Sequence, residues 1–536
     1  MIFKRSNIQN FLLVMFFFFF VFSCTQSKMG NNKQHDPAAE SGALALSAKQ
    51  KNVRELKKRD TKEEAVLAHN TEEYDRIREN AFVSPLTNPL STFSVDVDRA
   101  SYANVRRFLN SNQLPPPDAV RIEEMINYFD YDYAHPTGEH PFAIHLEAGK
   151  CYWNNKHYLL HIGLQGKDIP VENIPSSNLV FLIDVSGSMA APNKLPLLKS
   201  AFKILLEKLR KNDRVAIVVY ASATGVVLES TPCSEKAKII AALDNLSAGG
   251  STAGGEGIKL AYKIAKENFI AGGNNRVILA TDGDFNLGVS SDGDLERMIE
   301  KKRNDGVFLT ILGFGMGNYK DAKMEKLSNA GNGNYAYIDN VFEAKKTLGK
   351  EIWGTLFTIA KDVKLQIEFN PAKVKAYRLI GYENRMLKAE DFNDDKKDAG
   401  DIGAGHTVTA LYEIIPAESD EKIPGVDKLK YQTNNVVKSK ELLTLKLRYK
   451  LPDETNSKLI EKQLKAGDFD EQELSNNYQF AAAVAEFGLL LRDSEFKGNA
   501  NYSELIQLAK KAKGADNDGY RAEFIKMIKI AELLSQ

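Results

Sequence analysis

The chain has 536 residues, of which 43% are hydrophobic and 26% are charged. This composition is typical of globular proteins and excludes a fibrous or wholly disordered chain. The 71 basic residues balance 71 acidic residues, so no bulk charge indicates binding to nucleic acid or to an anionic membrane surface. The three cysteines include no CxxC pair, which excludes a disulfide-rich scaffold and a cysteine zinc site. An oxidising compartment would allow a bridge between Cys151 and Cys233, but no pattern supports one, and we expect two separate buried thiols.

Residues 1–23 predict an export signal peptide. Two basic residues precede an apolar stretch at residues 11–22, whose length as a helix is about 18 Å, short of the roughly 30 Å hydrocarbon core of a bilayer. Ser23 and Cys24 resemble a bacterial lipoprotein processing site, at which the cysteine is lipidated and becomes the new N-terminus. Cleavage to a soluble secreted product is the alternative. The lipoprotein interpretation places the protein in the bacterial cell envelope, held on a membrane by its acyl chains.

Residues 24–71 predict a flexible tether. The stretch contains few large apolar residues and therefore cannot bury a core of its own. Its first residues after the cysteine, Thr25 and Gln26, are not acidic, which favours the outer membrane, with the protein facing the periplasm or the exterior. Ordered structure is expected from residue 72 onward.

Residues 72–176 predict an N-terminal domain of mixed helices and strands. Alternating apolar and polar residues indicate half-buried strands, and apolar residues at helical spacing indicate two helices. Asp98 is placed to cap the first helix. The predicted elements lie at residues 91–98, 102–109, 120–129, 142–146 and 157–164.

Residues 177–350 have a different pattern. Short unbroken apolar runs are typical of strands buried on both faces, and amphipathic helical segments lie between them. This alternation predicts a doubly wound α/β domain with a mostly parallel sheet. The runs lie at residues 179–183, 215–220, 277–280 and 307–312.

Residues 351–536 predict a C-terminal domain that is β-rich and then helical. Three alternating segments are typical of antiparallel strands and indicate a β-sandwich-like piece. Helical patterns occupy the remainder of the chain. The predicted strands and helices lie at residues 363–369, 407–415, 442–449, 480–491, 503–512 and 520–534.

Side chains with oxygen atoms follow the apolar runs of the central domain, where open α/β sheets bind ligands. Asp184, Ser186 and Ser188 follow the first run, Asp282 follows the third, and Thr252 lies in a glycine-rich loop. Such hard ligands suit Mg²⁺, Mn²⁺ or Ca²⁺ and argue against zinc or copper. If the carboxylates act partly through water, the ion keeps a position that favours an incoming anion. We therefore expect a protein partner that presents an acidic side chain.

The pattern Asp184-x-Ser186-x-Ser188, with Thr252 and Asp282 later in the chain, resembles the metal-ion-dependent adhesion site of a von Willebrand factor type A domain. The resemblance implies that the three hydroxyl residues ligate the metal directly. It implies that the two aspartates ligate the metal or hydrogen-bond its bound waters.

The domain resemblance covers residues 178–349. Segments at residues 88–98, 121–129 and 379–385 resemble the bacterial YfbK-like proteins, so that the resemblance extends over nearly all of the mature chain. That family is defined by its architecture, and it implies no particular ligand.

Three functions remain open from the sequence. The leading interpretation is a non-enzymatic, divalent-metal-dependent protein-binding module of adhesion type on a membrane-anchored lipoprotein. The second is a metal-dependent hydrolase or phosphotransferase with Asp184 as the nucleophile. Against it, Ser186 stands where a phosphoaspartate enzyme would be expected to carry a second acid, and the loops contain no base. The third is a structural scaffold whose metal site does not function.

Overall fold

The structure, a computed structural model, describes residues 72–251, 254–283, 292–423, 430, 436–467 and 473–536. The predicted signal peptide and tether, including Cys24, lie outside the described residues, and so does Thr252. Cys151 and Cys233 are both free and buried, as expected. Within the described ranges, no helix combines the length and the apolar character needed to cross a bilayer.

The N-terminal flank supplies strands and helices close to the predicted positions. Its elements are β1 (Leu90–Ser94), α1 (Ala100–Asn110), α2 (Ile122–Asn127), β2 (Phe142–Lys150) and β3 (Tyr158–Gly166). The predicted cap of α1 is wrong, because Arg99 occupies the N-cap position and no side chain caps the helix. Asp98 is instead buried, and its carboxylate accepts a hydrogen bond from the Tyr335 backbone N–H at 2.9 Å. The Asp98 carboxylate thus makes a tertiary hydrogen bond and does not cap α1.

The central segment alternates strands and helices. Its elements are β4 (Ser177–Asp184), α3 (Leu195–Lys208), β5 (Arg214–Tyr220), β6 (Thr224–Pro232), α4 (Lys236–Asp244), α5 (Gly254–Glu267), β7 (Asn274–Thr281), α6 (Asp292–Asn304), β8 (Phe308–Phe314), α7 (Asp321–Ala330), β9 (Tyr335–Ile338) and α8 (Val341–Ala344). The sheet order is β6-β5-β4-β7-β8-β9, and only the β5–β6 pair is antiparallel. One face packs against α3 and α4, and the other against α5, α6 and α7. The predicted doubly wound fold is therefore confirmed.

The C-terminal flank begins with a short helix and continues as strands and then helices. Its elements are α9 (Ile352–Leu356), β10 (Thr358–Phe369), β11 (Val374–Ile380), β12 (Met386–Leu387), β13 (Gly400–Gly403), β14 (Thr407–Pro416), β15 (Glu441–Lys450), β16 (Lys458–Lys465), α10 (Asn476–Leu491), α11 (Tyr502–Lys511) and α12 (Tyr520–Leu534).

The two flanks share their sheets. One sheet has the order β12-β1-β10-β15-β16 with β13 beside β10, and the other has the order β11-β14-β3-β2. A single apolar core joins residues of both sheets, so they form a β-sandwich, and α1 and α2 pack with α10, α11 and α12 in a second core. The domain boundaries drawn from the sequence stay a prediction. In the structure, each sheet takes strands from both flanks.

Candidate metal site at the carboxyl edge of the central sheet

Two predicted acidic residues meet at the carboxyl ends of neighbouring strands. Asp184 is the last residue of β4, and Asp282 directly follows β7. The two strands are parallel and adjacent, with Ile183 opposite Ala280. The Thr281 hydroxyl donates a hydrogen bond to Asp184 Oδ2 at 3.3 Å and links the two strand ends. The sheet register thus brings together side chains that are nearly a hundred residues apart in the sequence.

The loop after β4 places two hydroxyls beside the first carboxylate. The Ser186 backbone N–H donates to Asp184 Oδ1 at 2.9 Å, and Ser186 Oγ lies 3.0 Å from Ser188 Oγ. Ser186 is buried and Ser188 is exposed. The Gly187 backbone N–H donates to the Gly250 carbonyl at 2.9 Å, which holds this loop against the glycine-rich loop. The site therefore has a buried side and a side open to solvent.

Asp184 is buried, and the described part of the chain places no neutralising cation beside it. Its Oδ2 atom accepts a hydrogen bond from the Tyr220 hydroxyl at 3.2 Å, and among the described residues it forms no ion pair. Burial raises the pKa of the Asp184 carboxyl, hydrogen bonds from Ser186 oppose that shift, and the neighbouring Asp282 adds to it. A buried carboxylate in this state is stabilised by any positive charge placed beside it.

Lys194 is a site residue that the sequence analysis missed. Its Nζ atom donates to Asp282 Oδ2 at 2.8 Å and to Asn318 Oδ1 at 3.3 Å. Burial alone would raise the pKa of Asp282, but hydrogen bonds from Lys194 and Ser188 hold it below its ordinary value. Asp282 therefore stays ionised next to an ammonium group.

The position of Lys194 depends on a distant glycine. A Cβ atom at Gly315, which has a φ of +79°, would lie 2.3 Å from Lys194 Cε. The aliphatic part of the Lys194 side chain thus occupies the space that a side chain at residue 315 would need. A lysine just before an amphipathic helix carries no such signal in the sequence, so only the fold reveals the contact.

The structure brings together four of the predicted site residues: Asp184, Ser186, Ser188 and Asp282. Thr252 lies outside the described residues, and its ligand role stays a prediction. Two carboxylates and two hydroxyls are hard oxygen donors, which suit Mg²⁺, Mn²⁺ or Ca²⁺. Among the described residues, Lys194 pairs with Asp282 and no cation pairs with Asp184, so the charges there also fit an added cation.

A second group of buried carboxylates lies where the central segment meets the flanks. Carboxylate oxygens of Asp96, Glu124 and Glu325 lie within 4.8 Å of one another. Arg385 Nε donates to Asp96 Oδ2 at 3.0 Å, and Arg121 forms an ion pair with Glu124. Both arginines also lie 3.6 Å from Glu325. These carboxylates already have cationic partners and act in holding the junction together.

Comparison with protein families gives three matches along the chain. The model for the von Willebrand factor type A domain matches residues 178–351. The model described as von Willebrand factor matches residues 68–161. The model described as Uncharacterized protein YfbK, C-terminal, matches residues 354–534.

Two curated proteins and two solved structures illustrate the relatives. The protein described as Uncharacterized protein sll0103 of Synechocystis sp. is 30% identical over 32% of this chain and 39% of its own length. The structure of von Willebrand factor type A from Catenulispora acidiphila is 17% identical over 75% of this chain and 91% of that chain, with a TM-score of 0.40. The structure of BatB from Bacteroides thetaiotaomicron is 21% identical over 33% of this chain and 97% of that chain, with a TM-score of 0.29.

The protein described as Uncharacterized protein YfbK of Escherichia coli (strain K12) is 46% identical over 473 residues, which cover 86% of this chain and 81% of that protein. The shared sequence includes the central domain and both flanks. Together with the family matches on all three parts, this similarity shows that the chain belongs to the YfbK family of von Willebrand factor type A domain proteins.

Proposed function

We propose that the protein is a non-enzymatic module that binds another protein through a divalent metal ion. The observation that carries this proposal is the meeting of Asp184, Ser186, Ser188 and Asp282 at the carboxyl edge of the parallel sheet. Membership of a type A domain family supports an interaction role.

Mg²⁺ is the proposed ion, with Mn²⁺ and Ca²⁺ as substitutes of the same ligand preference. Asp184, Ser186, Ser188 and Asp282 would hold it, and the sequence pattern adds Thr252 to this set. When bound, the ion supplies a positive charge that attracts a carboxylate. Within the chain, Asp184 fixes the loop through the Ser186 backbone N–H, and the exposed Ser188 faces the side from which a partner approaches. An acidic side chain of a partner protein is the ligand that fits this arrangement.

The test compares capture of envelope proteins by the immobilised mature chain in Mg²⁺, followed by elution with a chelator. Asp184→Ala removes the buried carboxylate. Asp305→Ala is the matched control, because Asp305 is exposed and precedes β8 at the opposite edge of the sheet. We expect the same chelator-eluted proteins from wild type and from Asp305→Ala, and none from Asp184→Ala. Equal capture by all three proteins would contradict the proposal.

We further propose that Cys24 is lipidated and anchors the protein in the bacterial cell envelope, with the outer membrane favoured. The support is the sequence at the end of the signal peptide. Cys24→Ser should release the protein from the membrane fraction or leave its signal uncleaved. Carbonate-resistant membrane association of a Cys24→Ser protein with a mature-length N-terminus would exclude lipidation at this residue.

A further inference from the structure

A polar cavity of about 300 Å³ lies at the amino edge of the central sheet, opposite the candidate metal site. The central segment contributes Arg276 near the start of β7 and the loop before β9. The flanks contribute the residues that follow β1 and the segment around β13. The cavity therefore lies between the type A domain and the shared sheets of the flanks.

Arg276 is a buried cation in the wall of this cavity. It is 2% exposed, its Nη1 atom donates to Thr310 Oγ1 at 2.7 Å, and its guanidinium lies 5.4 Å from the ring centre of Phe308. Among the described residues, its Nε atom has no hydrogen-bond acceptor and no carboxylate lies within 4.0 Å of it. Buried charges are normally paired, because an isolated one is costly.

Three of the four acidic residues that line the cavity are paired with other arginines. Asp96 and Asp98 accept hydrogen bonds from Arg385 at 3.0 and 3.4 Å. Asp398 forms an ion pair with Arg303 at 2.9 Å. These carboxylates therefore do not neutralise Arg276.

The fourth acidic residue, Asp401, is only a distant partner. Its Oδ1 atom accepts a hydrogen bond from the Asp362 backbone N–H at 3.2 Å. Burial raises the pKa of Asp401 to about 7, so a large share of it is protonated at neutral pH. Burial lowers the pKa of Arg276 to about 10, and the attraction of Asp401 only partly opposes this. The guanidinium thus lacks an adequate counter-charge within the described chain.

We propose that this cavity binds a small oxyanion, a carboxylate or phosphate group, on the guanidinium of Arg276. A guanidinium fork matches the geometry of both groups. Asn334, Thr355 and Lys397 also line the cavity and offer further donors to an anion. A volume of about 300 Å³ is at the lower end of the range for small-molecule sites. This site is separate from the metal site, and its existence does not depend on the proposed function.

The test is thermal unfolding of the full mature chain with inorganic phosphate or with succinate, at constant ionic strength set with chloride. The Asp184→Ala background is used throughout, so that neither anion acts through the metal site. Either anion that binds should raise the melting temperature in proportion to ln(1 + [L]/Kd). A response to phosphate alone identifies a phosphate group as the ligand, and a response to succinate alone identifies a carboxylate.

Variants at two positions decide the proposal. Arg276→Met should abolish the response, and Arg276→Lys, which keeps the charge and loses the fork, should weaken binding about tenfold. Asp401→Asn removes a competing negative charge and should strengthen binding several-fold. An equal response with Arg276 intact and with Arg276→Met, both in the Asp184→Ala background, or no response to either anion, would overturn the proposal.

The structural alternative, a water-bridged pair of Arg276 and Asp401, makes the opposite prediction. In that case Asp401→Asn lowers the melting temperature without anion and gives no stronger response to it. That result would also overturn the proposal.

Discussion

The two edges of the central sheet each bury an ionisable side chain that has no partner of opposite charge among the described residues. At the carboxyl edge Asp184 is buried, and among the described residues no cation pairs with it. At the amino edge Arg276 is buried, and no carboxylate in the described ranges lies within ion-pair distance. Because unpaired buried charges reduce stability, a role in stabilising the fold does not explain why Asp184 and Arg276 are buried at these edges. Each edge instead fits the proposal that it binds an ion of the opposite charge.

Arg106 shows how the same chain treats a buried charge that has a structural role. It is 1% exposed and its guanidinium pairs with Asp339 at 2.5 Å, Glu343 at 2.7 Å and Glu523 at 2.9 Å. These contacts join α1 to the end of the central segment and to α12. A structural arginine here has three carboxylate partners, whereas Arg276 has none within the described part of the chain.

The largest expected effect comes from breaking this structural pairing. Arg106→Met leaves the Asp339 and Glu343 carboxylates buried without a cation, so the free energy of unfolding should fall by about 3–5 kcal/mol. Arg276→Met is the matched control, and in the absence of an anion it should lower the free energy of unfolding far less. Urea unfolding measures both. Equal destabilisation by the two variants would remove the contrast between Arg106 and Arg276.

A smaller effect is expected from pH at the amino edge. Because burial raises the pKa of Asp401 to about 7, the folded state binds more protons than the unfolded state between pH 4 and 7. The contribution of this carboxyl to stability is therefore largest at low pH and is lost as pH rises from about 4 to about 7, by at most about 1.4 kcal/mol per pH unit. Asp401→Asn should flatten this part of the profile, as measured by urea unfolding from pH 4.5 to 8. A profile unchanged by the substitution would show that Asp401 is not the responsible group.

Thr252→Ala should weaken partner capture about tenfold, mainly through faster dissociation. Loss of one neutral ligand leaves both carboxylates in place, so the fold should stay intact. Ser251→Ala, which removes the exposed neighbouring hydroxyl, is the matched control. Surface plasmon resonance with a captured partner measures both rates. Turnover of a phosphate or peptide substrate by the purified protein, abolished by a chelator and by Asp184→Ala, would instead favour an enzyme.

The smallest expected effect concerns Lys194. Lys194→Met removes the ammonium group beside Asp282 and leaves Mg²⁺ as the cation available to both site carboxylates. The shift of melting temperature with Mg²⁺ should therefore grow, with an apparent affinity a few-fold tighter, while the protein without metal becomes less stable. A Mg²⁺ response lost in Lys194→Met would show that the lysine supports the metal instead of competing with it.

The sequence predicted the strands of the central sheet where both faces are buried. β4 and β7 are continuous apolar runs, and the polar residues that follow them mark the carboxyl edge. The edge strand β6 was missed, because Val226 and Val227 are exposed in it and its burial does not alternate. The local pattern of apolar residues thus identifies strands that are buried on both faces, and it does not identify an edge strand with irregular burial.

Contacts between segments that are distant in the chain could not be predicted from the sequence. Nothing local indicates that β1 pairs with β10, which puts strands of both flanks in one sheet. The ion pair of Lys194 with Asp282 and the missing partner of Arg276 are likewise properties of the folded chain. The positions of Asp184, Ser186, Ser188 and Asp282 were predictable because each lies at a strand end or within four residues after it. Their cationic neighbour was not.

Binding of Mn²⁺ to the purified mature chain, followed by electron paramagnetic resonance, tests the central claim most directly. Free Mn²⁺ gives a strong signal that is lost on binding, so the titration counts sites. We expect one site per chain in wild type and in Arg276→Met, and at least a hundredfold weaker binding in Asp184→Ala. The same Mn²⁺ affinity in Asp184→Ala and wild type, or no binding by wild type at all, would contradict the account.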